Sequence, residues 1–313
     1  MNKIKEITQK NAFIWPVFGS ILLFIMITAV TGSVNLNVIS SCAKLCVFAL
    51  LLALGQMIVV TSGNGAIDLS QKYILTLTAY VSCEFIGINV FLGLFLSILV
   101  GLICGMISAC INVFLEIPAM ITTLATGYLF YTVILVVSSK WSNIPDSGFV
   151  GFVNKNLVGI NMMTLICIIV AVLLWITLYK TKYGRNLHAV GQKREAARLA
   201  GINVKKTVII AFLINGALCG LAGALCAAYC GGANQDLGTT YFLPSVAATF
   251  VGGTNAAGGK SSVVGVSIGA LMMTLLSTFL NAAKIGVGAQ RLIQGAFLVL
   301  LLVAAVSGAS RRK

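Results

Sequence analysis

Charge is what this sequence has least of. Of 313 residues only 9% are Asp, Glu, Lys or Arg, while 59% are hydrophobic. A soluble globular chain carries roughly 25% charged residues, so this chain cannot cover itself with water-compatible surface. Acids are scarcest: there are seven, beside one histidine, His188. A Ser-His-Asp triad or a metal cluster needs partners that this supply does not provide, which makes a membrane enzyme the weakest reading. An ion-coupled carrier places acids or histidines inside its spans, and the apolar runs here are nearly free of them. Cysteine is present without a pattern. None of the nine forms a C-x-x-C pair, and Cys42/Cys46 and Cys226/Cys230 have no histidine or acid nearby to complete a metal site. They read as small residues buried in membrane helices. The alternation that marks a membrane β-barrel is missing too.

What the chain has is long apolar runs. A membrane helix needs roughly 20 apolar residues, and clear candidates occupy 13–31, 45–62, 91–113, 119–138, 162–179, 207–230, 262–281 and 290–307. Two further stretches are short or polar: 73–88, interrupted by Glu84, and 241–252, which follows Asp236 and contains Pro244. The first apolar run lacks a small-residue cleavage site and reads as an uncleaved span. The net charge of +14 is concentrated in three places. Lys3, Lys5 and Lys10 begin the chain, Arg311, Arg312 and Lys313 end it, and eight bases lie in residues 180–206. Basic clusters beside spans mark the cytoplasmic side of a membrane protein, so the basicity describes topology and not a nucleic-acid partner. With both termini and the 180–206 loop on that side, the crossings before and after the loop must each be even. Counting both short stretches satisfies this. The expected fold is an all-α membrane protein of about ten transmembrane helices, some short or broken, forming one domain over 1–313. Glycine pairs four apart (Gly101/Gly105, Gly216/Gly220, Gly265/Gly269) let helix backbones approach closely.

Few residues inside this frame carry chemistry. The stretch G-G-T-N-A-A-G-G-K-S-S, with Gly252, Gly253, Gly258 and Gly259, looks briefly like a phosphate loop. That motif needs a glycine where Thr254 stands, and a strand leading in. A tight glycine-built connection between helices, with Lys260 at the interface, fits better. Asp68 lies in T-S-G-N-G-A-I-D-L-S at the end of the second span. It is either a functional acid at membrane depth or the N-cap of the next helix. Glu84 and Glu116 are expected to be solvated loop acids.

The polar stretch 180–206 stands apart. Within it Arg194-Glu-Ala-Ala-Arg-Leu-Ala-Gly201 has strong helix formers closed by a glycine. About two turns of helix are too short to be stable alone in water, so this piece needs a groove on something else. Here a resemblance becomes specific. Glu195, Ala196, Ala197 and Gly201 form the E-A-A-x-x-x-G frame that resembles the coupling motif of ATP-binding-cassette importer permeases. The string from Thr181 to Val204 is similar to the ribose-type sugar permeases, as are S-G-N-G-A-I-D-L-S (62–70) and A-A-T-F-V-G-G-T-N-A-A-G-G-K (247–260). Departures are Asn64-Gly65 before the acid, Gln71-Lys72 after it in place of small residues, and Gln192-Lys193 before the coupling helix.

The resemblance implies a membrane subunit that pairs with a second permease chain, like or unlike itself, in the bacterial inner membrane. It implies two cytoplasmic ATPase subunits that use the ATP, and an extracytoplasmic solute-binding protein that delivers a monosaccharide or polyol. No cofactor is expected on this chain. Glu195, Ala196, Ala197, Arg198 and Gly201 would transmit motion from the ATPase, with Gly184 and Arg185 supporting the entry to the loop. Asn64, Asp68 and Ser70 are the candidates for lining or gating the pathway. A branched-chain amino-acid or nucleoside permease of the same fold, and an ion-coupled carrier, stand as alternatives.

Overall fold

A computed structural model describes residues 14–32, 36–157 and 160–310. The basic residues at either end, 3–10 and 311–313, lie outside the described residues. The chain is helical nearly throughout, in the order α1 (Ile14–Thr31), α2 (Leu36–Thr61), α3 (Gln71–Phe85), α4 (Val90–Phe114), α5 (Ala119–Ser138), α6 (Ser147–Asn154), α7 (Met162–Lys180), α8 (Lys182–Gln192), α9 (Arg194–Leu199), α10 (Val204–Cys230), α11 (Thr239–Val251), α12 (Val263–Ala282) and α13 (Val287–Ser310). A two-residue antiparallel ladder, Asn156–Leu157 against Ile160–Asn161, sits between α6 and α7.

Among the described residues six helices are long and apolar enough to cross a bilayer, and α1, α11 and α13 contribute shorter apolar stretches. The expected spans all fall on helices. The two doubtful stretches are α3 and α11, of 15 and 13 residues. Both are short for a span and both are packed inside the bundle, with every residue from Ile74 to Cys83 and from Pro244 to Phe250 buried. A helix with so many threonines and serines cannot face lipid tails. α3 is stable here because α4, α5 and α10 pack against it.

Side-chain caps start many of the helices. Asn89 accepts from the Phe91 and Leu92 amides, Asn203 from Lys206 at 2.9 Å, and Ser262 from Gly265 at 3.0 Å. Each occupies an amide left without a partner in the first turn. The closest pairing in the bundle is α4 on α10. Gly101 lies on the Gly216 backbone, Gly105 on Phe212 and Gly220 on Ser97, so both glycine pairs meet in one contact. The third pair, Gly265 and Gly269, receives the Gly252 and Ala248 carbonyls of α11. Small residues are required at these crossings because there is no room for a Cβ. The apolar core runs through α2, where Phe48, Leu51, Leu52, Leu54, Met57 and Ile58 are fully enclosed.

Candidate functional site

The centre of the bundle holds a polar seam built on the break between α2 and α3. After Thr61 the chain turns sharply through three left-handed residues, Gly63 (φ 86°), Asn64 (φ 58°) and Gly65 (φ 62°). It then re-enters the bundle as a non-helical strand of backbone, 66–70. Irregular backbone survives at membrane depth only where protein supplies its hydrogen bonds, and α5 does so. The Leu69 amide donates to Thr123 Oγ1 at 3.0 Å, and Thr123 donates to the Ile67 carbonyl at 3.3 Å.

Asp68 lies in the middle of this segment and is fully buried. Its Oδ1 accepts from the Ser70 amide at 2.8 Å and from Ser70 Oγ at 2.6 Å, and its Oδ2 accepts from Asn215 Nδ2 of α10 at 2.6 Å. Gln71 Nε2 donates to Asn215 Oδ1 and to the Leu52 carbonyl of α2 at 3.0 Å. Asp68, Ser70, Gln71 and Asn215 are each 0% exposed and tie α2, α3 and α10 together. The alternative in which Asp68 caps the next helix is corrected: α3 begins at Gln71 with Ser70 as its N-cap, and the carboxylate closes a turn onto that capping residue. Of the pathway candidates, Asp68 and Ser70 belong to the seam, whereas Asn64 is exposed on the turn below it.

Two other expectations about acids divide. Glu116 is exposed in the α4–α5 connection at φ 55°, as a loop acid should be. Glu84 is not in a loop. It lies in the last turn of α3, half-buried, and its Oε2 accepts from the Ser142 amide at 2.8 Å, fastening α3 to the α5–α6 connection.

The 180–206 region folds into two short helices against one end of the bundle. In α8, Gly184, Leu187, Val190 and Gly191 face inward. Gly184 lies on the Leu178 carbonyl, so only glycine fits there, while Arg185 is exposed. Gly191 meets the Thr61 carbonyl and the Gly259 backbone, and Gly258 meets Gly63. Gly259 donates its amide to the Thr61 carbonyl at 3.0 Å, and His188 Nδ1 lies 3.2 Å from the Gly259 carbonyl. Three glycine-bearing segments, 61–65, 191–192 and 258–259, therefore meet at one point. The glycine-rich stretch is a helix connection, as expected: Gly252 and Gly253 close α11, Gly258 and Gly259 dock on α8, and Lys260 is exposed.

In α9 only Ala197 is buried. Glu195, Ala196 and Arg198 are exposed, and Leu199 is 87% exposed. The helix ends as expected at Gly201 (φ 79°), where the Gly201 amide returns to the Arg198 carbonyl and the Ile202 amide to Ala197. This paired return is a Schellman closure. Between α9 and the α4–α5 connection lies an open cavity of about 640 Å³, lined by Asn112, Glu116, Arg194, Arg198 and Lys205 among others. Burial pulls the Arg194 guanidinium below its ordinary pKa, and its Nε is without a hydrogen-bond partner.

Sequence reasoning missed Asn215 and α8. Asn215 sits amid apolar residues with only its own polarity to mark it. The start of α8 was legible in Thr181, which caps it, and in the spacing of Tyr183, Leu187 and Val190.

A bundle of glycine-packed helices around a buried polar seam, with a glycine-braced platform at one end, defines a multi-pass membrane transport protein. The chain belongs to the family of permease components of branched-chain amino acid transport systems, whose model matches residues 38–306. It is similar to the D-allose transport system permease protein of Escherichia coli (strain K12), 29% identical over 308 residues covering 94% of each chain. It is also similar to the autoinducer 2 import system permease protein of Salmonella typhimurium (strain LT2), 27% identical over 316 residues covering 97% of this chain and 93% of that one. No solved structure matches. As an inner-membrane permease component of a transport system it is not a catalytic subunit.

Proposed function

We propose that this chain is the membrane subunit of an ATP-driven importer that carries a monosaccharide or related polyol into the cell. ATP is hydrolysed on separate cytoplasmic subunits, an extracytoplasmic binding protein delivers the solute, and a second permease chain completes the path. In this reading α1–α5, α7 and α10–α13 make ten crossings, with both termini and α8–α9 on the cytoplasmic side. The sugar assignment is supported by the name of the D-allose permease, which is matched over 94% of each chain.

One observation carries the ATPase assignment. Helix α9 has six residues, buries one of them, and presents Glu195, Ala196, Arg198 and Leu199 outward. So short a helix is not stable for its own sake in water, yet it is closed by a complete glycine cap and held on α8. An outward helix braced in this way transmits force into whatever it seats upon. Motion of α9 passes through Gly191 to the 61–65 turn, and from there to the re-entrant segment that holds Asp68. Alternating access by rocking of packed elements is a known repertoire of such proteins.

The test is co-purification of ATPase subunits with the wild-type chain and with Glu195→Ala and Gly201→Pro variants. Loss of the ATPase from the variants, with the permease still eluting as a folded species, supports the reading. Wild-type chain that brings no ATPase, or variants that bind as well as wild type, would sink it. The branched-chain amino-acid alternative is decided by uptake of labelled leucine against labelled pentoses and hexoses.

A further inference from the structure

Lys72 is the second residue of α3. Its neighbour Gln71 is bonded to Leu52, nine residues before the end of α2, which is ~13 Å of helix. The Lys72 ammonium lies over aromatic rings. Nζ lies 4.6 Å from the Tyr73 ring centre and 5.9 Å from that of Phe242 on α11. The buried acid of the seam, Asp68, is held by Ser70 and Asn215. Tyr73 in turn packs on Tyr128 and Tyr131 of α5, with ring centres at 5.9 Å and 5.5 Å. Gly127 makes room for the Tyr73 ring. Lys72, Tyr73, Tyr131 and Phe242 are half-buried, and Tyr128 is 58% exposed. A cation and three phenols are therefore only partly enclosed by this chain, at the level where α3 and α11 begin.

An ammonium facing hydrocarbon is costly, and ionisable groups at this depth face protein or a water-filled cavity. Two short helices also begin here: Gly238, the N-cap of α11, rests on the Lys72 carbonyl and donates its amide to Thr76 Oγ1 at 3.0 Å. Short helices starting near the middle of the membrane mark solute sites in transporters.

We infer that the surface of Lys72, Tyr73, Tyr128, Tyr131 and Phe242 is a wall of the solute path and contacts a polyhydroxylated solute. Aromatic faces take the C–H face of a sugar ring, while the ammonium donates to its hydroxyl oxygens. The inference rests on the importer reading for the solute, but not for the wet surface.

The experiment uses the full transporter in membrane vesicles, with Lys72→Cys and Tyr128→Cys each exposed to a charged, membrane-impermeant thiol reagent. Adducts are located by peptide mass, which separates them from native Cys230. Ile103→Cys, on an exposed apolar position of α4, is the lipid-facing control. The expected result is modification at either new cysteine at least tenfold faster than at the control. Rates no faster than the control at both positions overturn the inference whether or not an ATPase is bound. For the chemistry, uptake is measured with labelled pentoses, hexoses and leucine. Lys72→Met and Tyr73→Leu are expected to raise the KM for the transported sugar five- to tenfold, with Tyr73→Phe close to wild type. An unchanged KM in both, or carriage of leucine and no sugar, overturns the assignment.

Discussion

Asn215 donates from Nδ2 to the buried Asp68 carboxylate at 2.6 Å, joining residues 147 positions apart in the sequence. The amide is used from both ends, since its Oδ1 accepts from Gln71. Replacing Asp68 by Ala orphans donors on Asn215 and Ser70, and a buried donor without a partner costs about 1–3 kcal/mol. Asp68→Asn is milder but turns an amide donor toward Asn215. The swap Asp68→Asn with Asn215→Asp restores every pairing: the new carboxylate accepts from residue 68 and from Gln71, and the new amide oxygen accepts from Ser70. Thermal unfolding in detergent should show a lowered midpoint in each single variant and recovery of most of it in the double variant. A double variant as unstable as the sum of the singles would show that the pairing is not what holds the seam.

The α4–α10 crossing gives a second, purely steric expectation. A Cβ at Gly216 runs into the Gly101 carbonyl, which is backbone and cannot swing aside. Gly216→Ala should therefore cost about 1–3 kcal/mol, the usual penalty for overpacking. Gly151→Ala, in α6 with open space around it, should hold or raise stability by up to about 1 kcal/mol. Unfolding midpoints of the pair, measured in one detergent, decide the matter.

These two cases also mark what the sequence could tell. The Gly101/Gly105 and Gly216/Gly220 spacings were readable as close-packing positions, but nothing in either spacing says that the two pairs meet each other. Helix positions followed from apolar length, and α9 from Arg194 to Gly201 followed from helix formers and a stop. Asp68 was visible as an acid beside a span, whereas its burial depends on a strand of backbone that re-enters the bundle. Such a segment carries no periodicity. Asn215 was invisible for a related reason: a single polar residue in an apolar run has meaning only through its neighbours across the fold. Lys72 stood out only as a departure from the family pattern, without the rings that surround it. Glu84 was misplaced because its interruption of a short span resembled a loop, when the helix continues through it to reach Ser142.

Gly201 isolates backbone conformation from contact. Its φ is 79°, and nothing lies within 4 Å of a Cβ built there. Substitution thus acts through the left-handed backbone alone, a cost of roughly 1–2 kcal/mol for an ordinary residue and less for Asn. Hydrogen exchange over 194–200 should rise in the order Gly201, Gly201→Asn, Gly201→Val, while the remaining helices stay protected. Equal protection in all three would mean that packing of Ala197 and Ile202, and not the glycine closure, fixes the end of α9.

Leu199 separates folding from docking. It is 87% exposed at the end of α9, so its removal takes little from the core. If Leu199 fills a pocket on the ATPase as an interface anchor, its truncation costs about 2 kcal/mol or more. Leu199→Ser should leave the unfolding midpoint unchanged within error, and reduce co-purifying ATPase by about tenfold or more. Ala197→Ser, at the one buried position of the same helix, should show the reverse pattern: a lowered midpoint, with ATPase retained on the chain that remains folded. If Leu199→Ser keeps its ATPase, the contact lies elsewhere on the platform, and the cavity edged by Arg194, Arg198 and Lys205 becomes the surface to vary next.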